Sequence, residues 1–394
     1  MTIRLTGTSR RDLLRLGTGV MLAAAALALV WANSPWASSY GEMLSLTVGP
    51  AAVGLAKSLG LWISDGLMAI FFLFVGLEIK REMVEGQLSS RDRIALPAIA
   101  ALGGMIVPAI FFLAFNRGDA LAARGWAVPC ATDIAFSLAV LRLVSRRVPA
   151  SLRVFLTAVA ILDDIGAIAI IAFFYTDQVS TTMLLLALVP IAGLVALSRA
   201  RVASMIPYAL FGIVLWYLVL KSGIHPTLSG VVVAATIPMQ TPRGRTLERL
   251  EHLLKPWVVF LILPVFALAN AGVSLQGLGF KGLVEPVALG IIVGLVFGKT
   301  FGVTLGVLAA KWLRISKPPE GASWLQVLGI AYLCGIGFTM SLLVAVLAYE
   351  TSAPHLFDEA KLGVLVGSTL AAIAGVVVLW LAPRPKVAAP QEPV

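Results

Sequence analysis

Apolar runs of about 20 residues recur from one end of this 394-residue chain to the other, each closed by a charged turn or one containing proline, glycine or asparagine. A helix rises about 1.5 Å per residue, so each run can cross a hydrocarbon layer ~30 Å thick. The pattern predicts an all-α polytopic membrane protein with about twelve transmembrane helices, over 12–31, 60–84, 95–115, 121–143, 150–175, 182–199, 205–220, 224–238, 248–272, 288–311, 325–350 and 358–382. Residues 1–394 read as a single transmembrane domain, with tails at 1–11 and 383–394 and an outer loop at 32–59. Within that loop, Ser45-Leu46-Thr47-Val48-Gly49-Pro50 is strand-like and ends in a turn signal, which predicts a small hairpin. Ser9-Arg10-Arg11 ahead of the first apolar run imitates a twin-arginine export signal, but eleven further runs follow, so the run reads as a first span with a basic flank.

Two spans carry helix-breaking chemistry at mid-membrane depth. In Ala127-Val128-Pro129-Cys130-Ala131-Thr132-Asp133, Pro129 removes a backbone donor, and Thr132 and Asp133 can bond the freed groups. In Cys334-Gly335-Ile336-Gly337-Phe338-Thr339, Gly335 and Gly337 weaken the helix. Their places, in the fourth span and the second to last, suggest two related halves with interrupted helices.

Composition removes the soluble classes. The chain is 59% hydrophobic and 13% charged, with a mean hydropathy of +0.95, against roughly 45–50% and 25% in globular domains. A net charge of +10 does not point to nucleic acid, because the basic residues lie in short loops between apolar runs. Most of them share a side with the termini, whereas the opposite loops hold only Lys57, Arg117, Arg124, Lys221, Lys281 and Lys361. The positive-inside rule then places both termini in the cytoplasm.

Against that apolar background Asp133, Asp163, Asp164 and Lys299 fall inside predicted spans, with Asp65 and Glu78 nearer span ends. Each central charge costs about 2.5–3.5 kcal/mol, so the four together cost on the order of 10 kcal/mol, which calls for a function. Asp163 and Asp164 are adjacent, so a helix points them about 100° apart. One can face a water-filled funnel while the other faces a neighbouring helix, and Lys299 is the central cation available as a partner. A hard cation such as Na⁺ or Li⁺ takes oxygen ligands, which Asp163, Asp164, Thr132 and freed carbonyls can supply. Protons compete for the same carboxylates, and competition at a site open to each side in turn is exchange. Two protons per Na⁺ would make that exchange electrogenic. Asp133 and Lys299 also suit neutralisation of half-helix ends. No His/Cys/Glu set has transition-metal spacing. An aspartyl intramembrane protease is disfavoured because its Gly-x-Gly-Asp signature is absent. A Na⁺-coupled symporter is disfavoured because no polar or aromatic cluster marks a solute pocket, and paired carboxylates suit occlusion better than a channel.

These residues resemble the bacterial NhaA-type Na⁺/H⁺ antiporter family. The matching segments, in order through most of the chain, are Phe74–Glu82, Ala131–Phe136, Leu162–Ala167, Leu220–His225, Leu250–His252, Phe266–Gly277, Gly298-Lys299 and Cys334–Ser341. The resemblance implies twelve spans in two inverted repeats, with crossed, interrupted fourth and eleventh helices. It implies Asp163 and Asp164 as the ion and proton site, Thr132 and Asp133 beside it, and Lys299 as partner of Asp163. Glu78, Arg81, Glu82, Glu251 and His252 match positions of the cytoplasmic mouth tied to pH activation, and His225 matches one on the outer side. It further implies no cofactor beyond the transported Na⁺, Li⁺ and H⁺, a bacterial inner-membrane location, no enzymatic role, and a homodimer held partly by the hairpin near Ser45–Lys57. The chain departs from the family pattern at Lys255, where a second histidine is expected, at Met239-Gln240-Thr241, a less charged stretch, and at Thr300, where proline is expected.

Overall fold

The computed structural model describes residues 10–175, 179–274, 281–350 and 352–383. Most of both predicted tails, and the end of the segment Phe266–Gly277, lie outside the described residues.

The described chain is helical apart from one small hairpin. Helix α1 (Arg10–Ala32) turns through 114° into the short α2 (Ala37–Ser45), and strands β1 (Thr47–Val48) and β2 (Lys57–Ser58) follow, antiparallel, with Thr47 opposite Ser58. The long spans are α3 (Leu59–Val84), α4 (Arg91–Phe115), α7 (Ala150–Phe174), α8 (Thr181–Arg199), α9 (Met205–Ser222), α11 (Thr246–Asn270), α12 (Pro286–Trp312) and α15 (Pro354–Leu381). Helices α5 (Ala120–Cys130) and α6 (Ile134–Leu143) meet at 48°, and α13 (Trp324–Cys334) and α14 (Phe338–Tyr349) meet at 43°. Among the described residues, eight helices are long and apolar enough to cross a membrane, or eleven if each bent pair is one span.

The eighth predicted span, 224–238, holds a helix shorter than its apolar run. Its helix α10 (Leu228–Thr236) has nine residues, a rise of about 14 Å or about half of a ~30 Å layer, and non-helical chain on either side carries the rest of the run. The first residues of that run are used in a turn after Gly223, which has φ +85°, where Ser229 Oγ donates to Pro226 O. At the other end, Pro238 follows and Lys80 Nζ donates to Ala235 O and Ile237 O, satisfying the last carbonyls. The small helix packs on α3, where a Cβ on Gly230 would come within 2.1 Å of Ala69 O.

Outward-facing positions are apolar and exposed, as on Phe173 and Trp312, which are 82% and 83% exposed. Inside, small residues let backbones touch. A Cβ on Gly103 of α4 would meet Gly302 O of α12 at 2.2 Å, and one on Gly302 would meet Gly103 O at 2.1 Å. Close approach of this kind is how helices gain packing in lipid, where hydrophobic driving force is absent. Three spans contain a π-turn, at Ile63–Leu67, Val258–Ile262 and Gly294–Gly298, and the last ends at Lys299. Such turns occur frequently at functional sites. The hairpin is tied to the bundle by Trp62 Nε1 donating to Val48 O and Lys221 Nζ donating to Gly54 O.

Candidate functional site

Where α5 gives way to α6 and α13 to α14, both chains lose helical bonds and bond each other instead. Pro129 sits in the last turn of α5, which has tightened to 3₁₀ geometry over Arg124–Cys130, and Ala131 is extended. Asp133 N donates to Ile336 O at 2.7 Å, Ser137 Oγ to Leu333 O at 2.8 Å, and Ser341 Oγ to Val128 O at 2.7 Å. The two breaks therefore cross. Gly335 and Gly337 allow it: a Cβ on Gly335 would lie 2.3 Å from Leu295 O, and one on Gly337 3.1 Å from Ala131 O.

The half-helix ends created there are met by charge and hydroxyl groups. The Asp133 carboxylate accepts from Phe136 N of α6 at 3.0 Å, and from Thr339 N and Oγ1 of α14 at 3.1 and 2.5 Å. It thus faces two helix N-termini, where negative charge is favoured. Ser368 Oγ of α15 accepts from Gly337 N and Phe338 N. At the other polarity, Lys299 Nζ donates to Cys130 O at 2.5 Å, and Thr132 Oγ1 lies 2.7 Å from Cys334 O.

Asp163 and Asp164 stand on α7 and part company there. Asp163 Oδ2 lies 2.7 Å from Lys299 Nζ and 2.6 Å from Thr132 Oγ1, with both members of the ion pair fully buried. The Thr132 hydroxyl has one proton and two acceptors in reach, Asp163 and Cys334 O, and serves one at a time. Asp164 is also buried, and its Oδ1 has no partner. Together with Glu78, Asp133, Arg142, Lys255 and Thr339 it lines a cavity of about 120 Å³, room for a few waters or a partly hydrated ion.

Beyond Glu78, the end of α3 meets α11. Arg81 Nη1 pairs with the buried Glu251 at 3.0 Å and Arg81 Nη2 with Glu82 at 3.2 Å, while His252, the next residue, is exposed. Arg245 pairs with Glu85 and, at 3.0 Å, with Glu248. His225 belongs elsewhere. It lies in the turn before α10, its Nε2 3.6 Å from Asp65, which also holds Lys57 of the hairpin at 2.8 Å, and its Nδ1 2.7 Å from Thr227 Oγ1. The structure gathers Glu78, Arg81, Glu82, Glu251 and His252 near one another and sets His225 apart from them.

The sequence assigns no part to Thr339, Ser368 or Arg142, and it gives His225 a place on the outer side without joining it to Lys57 and Asp65. A hydroxyl in an apolar span, as in Gly367-Ser368, was the available signal for Ser368. Arg142 lies a full turn and more beyond the break, and only the tilt of α6 brings it to the cavity.

A family model described as Na⁺/H⁺ antiporter 1 matches residues 13–379. A protein of Nitrobacter hamburgensis named Na(+)/H(+) antiporter NhaA is 54% identical over 359 residues, 90% of this chain and 86% of that relative. One of the same name from Shewanella sp. strain MR-4 is 50% identical over 365 residues, 92% of this chain and 93% of its own. Na(+)/H(+) antiporter NhaA 2 of Pseudomonas syringae pv. syringae is 52% identical over 363 residues, 91% of each chain.

Proposed function

This chain belongs to the Na⁺/H⁺ antiporter 1 family, and from that premise we propose that it exports Na⁺ or Li⁺ in exchange for protons at Asp163 and Asp164. It is a multi-pass membrane transporter. The observation that carries the finer reading is the division of labour on α7: Asp163 is held by Lys299 and Thr132, while Asp164, one residue on, opens into the cavity without a partner for Oδ1.

The chemistry follows from what oxygen can bind. A carboxylate oxygen holds either a proton or a hard cation, so Na⁺ entering the cavity displaces the proton of Asp164. Asp163, turning from Lys299, and Thr132 Oγ1 supply further oxygens. A proton leaving the Asp163–Lys299 pair in the same half-cycle makes two protons per Na⁺, and the exchange carries net charge. Asp133 and Lys299 hold the polar ends of the crossed half-helices through both orientations, which fits a break that persists in lipid because its freed backbone groups are satisfied. The Arg81–Glu251 pair and His252 then lie at the cytoplasmic mouth, where the positive-inside rule places the arginine-rich loops and both termini. In this reading the mouth tunes activity to pH, the protein serves sodium and pH homeostasis in a bacterial inner membrane, and the hairpin supports a homodimer.

The test is proton movement in everted vesicles from cells without antiporters of their own. Na⁺ and Li⁺ should collapse a preformed pH gradient and K⁺ should leave it, with a faster rate when an imposed membrane potential assists net charge movement. Collapse by K⁺ to the same extent, or by no cation at any pH, refutes the reading; indifference to the potential refutes two protons per Na⁺.

A further inference from the structure

The cavity that leads to Asp164 has a cation in its wall that nothing neutralises at contact distance. Lys255 stands in the last turn of the polar start of α11, half-buried, and lines the cavity beside Glu78, Asp133 and Asp164. Among the described residues no hydrogen bond or ion pair takes up its ammonium. The nearest carboxylate on its own helix, Glu251, is taken by Arg81. Glu78, in the same lining, is likewise without a hydrogen-bond or ion-pair partner among the described residues, and Lys255 is the charge that acts on it most strongly. Arg142, the other cation of the lining, has a contact of its own.

We infer that the Lys255 ammonium sets the affinity of the exchange for its cation: a fixed positive charge in the wall of the ion's path that determines how much Na⁺ the site requires. The inference rests on the antiport reading above. The remaining walls are aromatic and aliphatic, among them Phe71, Phe74 and Leu138, and low-dielectric walls focus the field of a charge into the aqueous space between them. At an effective dielectric of about 20 and a separation of ~8 Å, one unit charge changes the local concentration of a monovalent cation by about thirtyfold. Lys255 does not touch the transported ion in this account. It opposes the field of Asp164, Glu78 and Asp133, so Na⁺ accumulates less in the cavity than those carboxylates alone would dictate. A lysine that merely anchors α11 at a membrane surface would carry no such effect, because its charge would lie in bulk water.

The experiment measures initial exchange rate against Na⁺ concentration in proteoliposomes, at one alkaline pH where proton competition is least, for the wild type and for Lys255→Gln, Lys255→Glu and Lys255→Arg. The apparent KM for Na⁺ should fall about threefold or more in Lys255→Gln, fall further in Lys255→Glu, and return to the wild-type value in Lys255→Arg. KM does not depend on how much protein is inserted, so poor expression of a variant leaves the readout intact. If the Gln and Glu variants keep the wild-type KM, or if Arg behaves as Gln does, charge at this position does not govern affinity and the inference is overturned. A wild type that moves no protons with Na⁺ overturns the exchange reading as well, which separates the two failures.

Discussion

Asp164→Asn should abolish Na⁺-driven and Li⁺-driven proton movement while leaving a protein that inserts, purifies and unfolds at the wild-type temperature or above it. The amide keeps the shape of the carboxyl but offers neither a second charged oxygen to Na⁺ nor a proton site. The stability half of the expectation comes from the same geometry. Asp164 Oδ1 is buried with no partner, and among the described residues no ion pair holds the group, so its removal strands nothing. A buried charge without a partner is a cost to the fold, and neutralising it relieves that cost. Transport in everted vesicles, together with thermal unfolding of the purified variant, reads both halves. Residual Na⁺-dependent exchange above a few per cent of wild type would move the central role to another group.

Lys299→Met should do the reverse to stability. Its ammonium is fully buried between Asp163 Oδ2 and Cys130 O, so its loss leaves a buried carboxylate and the end of α5 without their cation. Removing one partner of a buried ion pair costs about 3–5 kcal/mol, whereas replacing both is often neutral. The single variant should therefore unfold at a markedly lower temperature, and Lys299→Met combined with Asp163→Asn should recover most of the loss. Thermal unfolding in one detergent orders the three proteins. A double variant no more stable than the single one would mean that Lys299 acts chiefly through Cys130 O and not through Asp163.

These contrasts show which parts of the site are readable without coordinates. Adjacent aspartates on a helix must diverge, and Lys299 is the lone central cation of the spans, so the geometry of the pair follows from types and spacing alone. Pro129 and the paired glycines likewise mark the breaks. Span limits were legible wherever apolar runs end in charge, as at 95–115, found as Arg91–Phe115. The run 224–238 gives a shorter helix than its apolar length suggests because the four residues before Leu228, Pro226 among them, go into a turn. Helix α2 was hidden in a stretch read as loop, and the π-turns have no sequence signature, since they arise from packing. The cavity lining was not legible either. In the sequence Lys255 stands out as a departure from a family pattern, yet its place in one cavity with Glu78 depends on the packing of α11 against α3.

The contact of Gly103 with Gly302 bears on how the two sides of the membrane take turns. With no side chain between them, α4 and α12 have nothing to slide on and nothing to repack, and farther along the seam Gly294 fits against Pro129 and Gly298 against Pro108. Lys299 follows directly, so the site's cation is mounted on a plank that also clamps the broken α5. By contrast, α3 and α11 face α6, α7 and α14 across a cavity and hold each other by ion pairs at one end, contacts that water can replace. The bundle therefore has a grain: its tight seam runs along the glycines and its loose one along the cavity.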